Sequence, residues 1–200
     1  NNNFSYSWGV KKYFEYFQDF KNFFPKFECK KISEINYKDK KKIKLGFVSG
    51  NLCNNHSVTY FLKKTFKHIA KKNFEIYVFS FGNQRSSNII DDINNNIDFN
   101  FDITKLDNQS VIDLIQRNKI NILIDLMGVT DAHRIEIFNN RVCPIQISWL
   151  GYCNTVGFDT IDYILADKNL IKEDEKKYYS EKILELPDIW NVHSGFDFER

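Results

Sequence analysis

His56 ends a loop of small polar residues, SGNLCNNHS at 49–57, set between a β-rich run at 43–48 and an amphipathic run at 58–69. An imidazole so placed can orient a hydroxyl or a phosphate and exchange a proton near neutral pH. Backbone amides at a helix start attract anions, and Ser57 is the expected N-cap of the helix opening at Val58. A second loop, MGVTDAHR at 127–134, follows the apolar run 120–126, and Gly128 permits the positive φ that such a turn often requires. His133 there reads as an ordinary histidine at a helix start. The third stretch, IQISWLGYCNTVG at 145–157, joins a strand-like run to an aromatic and glycine loop and continues into IDYILAD at 161–167. Ligands meet the backbone at such strand-end loops. Two other patterns carry less. Asp162 and Asp167 fall on opposite faces of a strand, which argues against a two-carboxylate hydrolase. Cys53 and His56 have C-x-x-H spacing, but no second pair with ligand spacing completes a zinc site.

The elements that would hold these loops alternate. Strands are expected at 43–48, 74–81, 98–102, 120–126, 145–150 and 161–166, with helices at 58–69, 109–118 and 131–139. The nearly continuous apolar strand 120–126 is the kind buried on both faces of a helix-covered parallel sheet. The pattern predicts an α/β fold with a Rossmann-like, doubly wound, mainly parallel sheet and right-handed crossovers. Ahead of it, the aromatics of 9–27 (Tyr13, Phe14, Phe17, Phe20, Phe23, Phe24) form a helical stripe that Pro25 closes. The sequence leaves that stripe's packing partner open.

Composition sets outer limits. Among 200 residues, 42% are hydrophobic and 16% aromatic, which favours an ordered globular chain. A net charge of +2 gives no electrostatic case for nucleic acid; the basic run KDKKKIK at 38–44 reads as a solvated linker. The four cysteines, Cys29, Cys53, Cys143 and Cys153, are dispersed, so reduced thiols and a cytoplasmic location are expected. No apolar run approaches the length that crosses a bilayer. The first residue is Asn1, which suggests a fragmentary or processed sequence.

Residues 45–62, 122–134 and 145–157 together resemble the catalytic region of the O-linked N-acetylglucosamine transferase and SPINDLY-like glycosyltransferases, in that family's order and over roughly 44–187. The resemblance implies the amino-terminal Rossmann-like half of a two-domain GT-B enzyme. It divides the chain into a helix and linker at 1–42, the Rossmann-like half at 43–187, and the start of an interdomain linker at 188–200. Asn55 and His56 match the family's Asn-His pair, whose histidine lies in the active-site cleft; His56 is thereby the catalytic candidate. Gly128, Thr130 and Arg134 match the second loop. Trp149, Leu150, Gly151 and Tyr152 match Trp-Leu-Gly-Tyr-Pro, with Cys153 in place of the proline; by resemblance Leu150, Gly151 and Cys153 contact the sugar and diphosphate of the donor, while Trp149 reads as core. Tyr179, Ser180, Glu181 and Lys182 repeat Tyr-Ser-Glu-Lys and are assigned to packing.

Two departures bear on chemistry. Asn51 stands where the family commonly has aspartate and cannot serve as a base, and the loss of proline at Cys153 leaves the third loop less preorganised, at a cost of about 0.4–1 kcal/mol. The family's histidine upstream of the first strand has no counterpart, since 1–42 contains no histidine. The complete enzyme is expected to transfer N-acetylglucosamine from UDP-GlcNAc to serine or threonine hydroxyls, with inversion, no cofactor and no essential metal. Its partners would be the nucleotide-sugar donor, a protein or glycan acceptor, a carboxyl-terminal GT-B half carrying the nucleotide site, and tetratricopeptide repeats upstream. No internal period of that kind lies in the chain itself. Alternatives are a SPINDLY-like transferase using GDP-fucose, a glycan-directed GT-B transferase and a noncatalytic binding module. Residues 1–200 alone are expected to be inactive.

Overall fold

The computed structural model describes residues 9–32, 42–52, 56–82 and 88–195. Cys53, Asn55 and most of the basic run 38–44 lie outside them. Seven parallel strands form one sheet in the order β3-β2-β1-β4-β5-β6-β7. They are β1 Ile43–Ser49, β2 Phe74–Ser80, β3 Phe99–Asp102, β4 Ile122–Asp125, β5 Ile145–Ser148, β6 Tyr163–Ala166 and β7 Lys182–Glu185. The helices are α1 Val10–Phe20, α2 Ser57–His68, α3 Asn88–Asn94 and α4 Asn108–Arg117. Strand order runs outward one way through β2 and β3 and the other way from β4 onward, so the order of strand addition reverses between β1 and β4. Register places Val48 beside Asp125 and Asp125 beside Ser148, which brings the carboxyl ends of three strands to one edge.

Both faces of the sheet are covered, as the apolar strands require. On one face Val58, Leu62 and Phe66 of α2 recur at helical spacing and pack with Phe47, Ile76 and Ile124. On the other, Val111, Ile112 and Ile115 of α4 pack with Phe79, Leu123 and Phe138. Asp107 caps α4 by accepting the Ser110 N–H at 2.7 Å.

The aromatic helix α1 finds its partner within the chain. Tyr13 and Phe17 are buried in the second core, together with Val156 and Phe158 of the loop after β5. Gly157 has φ +70°, and a Cβ there would stand 2.6 Å from the Phe17 Cβ, so the helix seats on a glycine. An extended segment follows. Gln109 accepts the Glu28 N–H and donates to the Glu28 carbonyl, both at 2.9 Å, and Gln116 treats Lys30 the same way at 3.0 and 3.2 Å. Asn140 accepts the Phe27 N–H, while Asn139 donates to the Phe24 carbonyl and accepts from Lys26.

Some sequence expectations are corrected. No α-helix spans 131–139; a single 3-10 turn, Ile135–Ile137, stands there. Ala132 lies at φ +54°, which breaks helical continuity before it starts, and Asn139 and Asn140 turn their side chains to the extended segment. The third loop leaves the sheet earlier than expected because Leu150 lies at φ +73°, so β5 stops at Ser148. β6 starts late, at Tyr163, where Asp162 forms a two-pronged pair with Arg141. The expected packing segment at 179–182 leads into a short charged edge strand, β7.

Candidate functional site

In an open α/β sheet, ligands bind outside the carboxyl ends of the strands where the strand order reverses. That place is the mouth between β1 and β4. Among the described residues it is walled by 49–52 and 56–57 of the first loop, by the second loop (126–134) and by the third (149–157).

His56, not Ser57, is the N-cap of α2, and Ser57 is its first helical residue. The His56 Nδ1 accepts the Val58 N–H at 3.3 Å. With Nδ1 so occupied, the proton of the neutral ring resides on Nε2, which can donate to an oxygen of a ligand. Burial holds the His56 pKa below its ordinary value of 6.5, so the ring is neutral at pH 7. Taking up a second proton would place it on Nδ1, which would make a cation in a partly desolvated place and break the cap. The arrangement is that of a hydrogen-bond donor. On the second loop the His133 Nδ1 likewise accepts a backbone N–H, that of Ile135 at 3.4 Å. Asn51 contributes backbone here: its carbonyl accepts from Thr59 Oγ1 at 3.0 Å, which pins the first loop to α2.

The second loop turns on a carboxylate that sequence reasoning missed. Asp125, buried at the end of β4, accepts the Met127 N–H at 3.1 Å and the Gly128 N–H at 2.7 Å. Desolvation raises its pKa to about 6, and the two amides oppose that rise. An acid ending an otherwise apolar strand was the available signal. Arg134 serves the loop from outside: its guanidinium donates to Asn108 Oδ1 and to the carbonyls of Ile103 and Leu106, at 2.7–2.9 Å. Its resemblance to the family's arginine is therefore met by a structural role.

Second and third loops interlock through glycines. A Cβ on Gly151 would lie 1.8 Å from the Leu126 carbonyl oxygen, and one on Gly128, at φ +57°, would lie 2.3 Å from the Tyr152 Cβ. Each loop thus fills the space its neighbour's glycine leaves open. Leu150 is buried with Leu52, Val58 and Leu126, which joins the third loop to the start of α2. Cys153 is exposed, and burial of its surroundings still lifts the thiol pKa above its ordinary value of 9.0. Trp149 packs as core and donates its Nε1–H to the Trp190 carbonyl at 3.0 Å. The far end of the loop is held by Glu181, buried, which accepts from Thr155 Oγ1 at 2.6 Å and from the Val156 N–H at 3.1 Å. Asp167 is equally structural, accepting the N–H groups of Asn169, Leu170 and Trp190.

Four candidate residues therefore sit on two walls: His56 on the first loop, and Leu150, Gly151 and Cys153 on the third. Among the described residues no three His, Cys, Asp or Glu side chains are grouped as a metal would require, and no helix is long and apolar enough to cross a membrane.

The doubly wound parallel sheet with its switch-point mouth is a Rossmann-like fold. The model of glycosyl transferase family 41 matches residues 24–195, and the chain belongs to that family. Among relatives, the Arabidopsis thaliana "Probable UDP-N-acetylglucosamine--peptide N-acetylglucosaminyltransferase SPINDLY" is 28% identical over 183 residues, covering 90% of this chain and 20% of that protein. The Arabidopsis thaliana "Probable UDP-N-acetylglucosamine--peptide N-acetylglucosaminyltransferase SEC" is 28% identical over 153 residues, covering 76% of this chain and 16% of that protein. A solved mutant of the Thermobaculum terrenum O-GlcNAc transferase superposes with a TM-score of 0.83 at 25% identity, covering 94% of this chain and 36% of that one. The chain thus spans a fifth or less of those two plant relatives.

Proposed function

We propose that these residues form the amino-terminal half of the catalytic region of an inverting glycosyltransferase that moves N-acetylglucosamine from UDP-GlcNAc to serine or threonine hydroxyls of proteins. The observation that carries this is the coincidence of the family match over 24–195 with a switch-point mouth built from the loops that bear the family motifs. Transfer needs the acceptor hydroxyl held in line with the anomeric carbon and the departing diphosphate stabilised. From this half, His56 offers an Nε2–H to a substrate oxygen, and the Leu150–Gly151–Cys153 stretch offers backbone to the donor. The interlocked loops keep those groups in one register before substrate arrives, which lowers the reorganisation needed at the transition state.

The nucleotide and the charge on the leaving group belong to a second GT-B half, consistent with the 36% coverage of the solved chain. No metal is required in this reading, and the protein acts in the cytoplasm, downstream of tetratricopeptide repeats. Exposed Leu184, Ile189 and Val192 near the carboxyl end provide apolar surface for the second half to cover. A SPINDLY-like use of GDP-fucose is the second reading; it rests on the resemblance of the loop motifs alone, since the SPINDLY relatives are themselves named for UDP-N-acetylglucosamine.

The test is sugar transfer to a serine-bearing acceptor peptide, measured with UDP-GlcNAc and with GDP-fucose. Residues 1–200 alone should show none; joined to a donor-binding half they should turn over UDP-GlcNAc. Release of UDP coupled to transfer by the isolated chain would overturn the division of labour, and turnover of GDP-fucose alone would overturn the donor.

A further inference from the structure

The three walls of the mouth meet at one turn. Leu126, Met127 and Gly128 follow Asp125 directly, and each touches a different neighbour. The Met127 Sδ accepts the Gly50 N–H at 2.8 Å, tying the turn to the entrance of the first loop. Gly128 lies under Tyr152, and the Leu126 carbonyl lies against the Gly151 Cα, tying it to the third loop. The conformation of the turn is set from below by Asp125, whose two carboxylate oxygens each take one amide, Met127 through Oδ1 and Gly128 through Oδ2. The carboxylate is fully enclosed, in register between Val48 of β1 and Ser148 of β5, so its own position is fixed by the sheet.

We infer that Asp125 is a positioning residue that sets the register of the second and third loops and of the entrance to the first, and, through Gly50 and the Asn51 carbonyl held by Thr59 of α2, the placement of His56, without touching substrate itself. A carboxylate is suited to this because it is acceptor-only and presents two oxygens to two converging N–H groups. An amide in its place supplies one acceptor and confronts the other N–H with a donor. Because the loops contact each other through glycines and a thioether, with no slack between them, displacement of the turn moves its neighbours. The inference rests on the proposed function for its catalytic meaning, whereas its geometric content does not.

The test uses residues 1–200 and needs no turnover. Amide hydrogen exchange in the Asp125→Asn variant should accelerate by roughly tenfold or more at Met127 and Gly128, which lose a hydrogen bond to a charged acceptor, and should rise with them at Gly50 and Gly151, whose N–H groups are bonded to Met127 and to the Trp149 carbonyl. Val156, held by Glu181, should keep its rate. In the same variant the imidazole carbon-proton resonances of His56 should move while those of His68 and His193 stay. Met127→Leu, which removes only the thioether acceptor, should release Gly50 and shift His56 but leave Gly151 protected, and it provides the readout should Asp125→Asn fail to fold. Unchanged exchange at Gly50 and Gly151 with a stationary His56 would overturn the inference, as would a uniform rise across the chain. Inactivity of every longer protein would instead count against the transferase reading alone.

Discussion

Replacing Gly151 with alanine tests the interlock most directly. The added Cβ would lie 1.8 Å from the Leu126 carbonyl oxygen and 2.7 Å from its carbon, where ordinary contact begins at 3.4 Å. The obstacle is backbone, so no side-chain rotation relieves it, and the two loops must part by more than an ångström. Overpacking of this kind costs typically about 1–3 kcal/mol, and a rigid backbone neighbour places this case at the upper end. For a chain of this size each kcal/mol moves Tm by about 2–4 °C, so Gly151→Ala should lower it by roughly 6–12 °C in a thermal melt. Gly128→Ala should cost a similar amount, since its φ is positive and Tyr152 Cβ would be 2.3 Å away. The double variant should cost less than the sum, because loops already forced apart by one Cβ admit the second more easily. A Tm for Gly151→Ala within a degree of wild type, or strict additivity of the pair, would refute the close approach of the loops.

Other outcomes follow from single residues. His56→Ala should lose the α2 cap, worth about 1 kcal/mol, as well as its Nε2–H; His56→Asn keeps an N-cap acceptor and should retain Tm while losing turnover in a complete enzyme. The cap also predicts a pH dependence. His56 has a folded pKa below the ordinary 6.5, so the stability of its neutral form is fully present above pH 6.5 and is lost as pH falls through the folded value. Wild type should therefore lose Tm relative to His56→Asn in acid, and parallel pH curves would remove the cap. Arg134→Lys cannot reproduce a fork that reaches Asn108, Ile103 and Leu106, and should lower stability by about 1–3 kcal/mol in urea unfolding. Phe17→Ala empties a site only 1% exposed and should cost about 3–5 kcal/mol, which an unaffected midpoint would contradict.

The alternation of strands and helices was legible because its cause is local: period and apolar run length show in any short window. The apolar run leading to Asp125 announced a buried parallel strand, and it is one. What failed was also local in form but decided elsewhere. Residues 131–139 carry helical spacing, yet Ala132 at φ +54° and the demands of the extended segment on Asn139 and Asn140 leave one 3-10 turn. Ser57 and His56 both offer a capping atom, and sequence preference named the serine where the structure uses the imidazole. Of the site, the three loops could be located from strand ends and glycines. Their mutual fit could not, since Gly151 meets Leu126 and Glu181 meets Thr155 across 25 residues of chain or more.

The extended segment between Pro25 and Lys31 is gripped at Glu28 and Lys30 by glutamine side chains that recognise only peptide N–H and C=O groups. Such a clasp is blind to the letters it holds. Positions 28 and 30 can therefore drift through nearly any residue except proline, which lacks the required N–H, and the segment will still lie along α4. This offers a way for the amino-terminal region to diverge quickly between relatives while its path, and the seat of α1 on the third loop, stay the same.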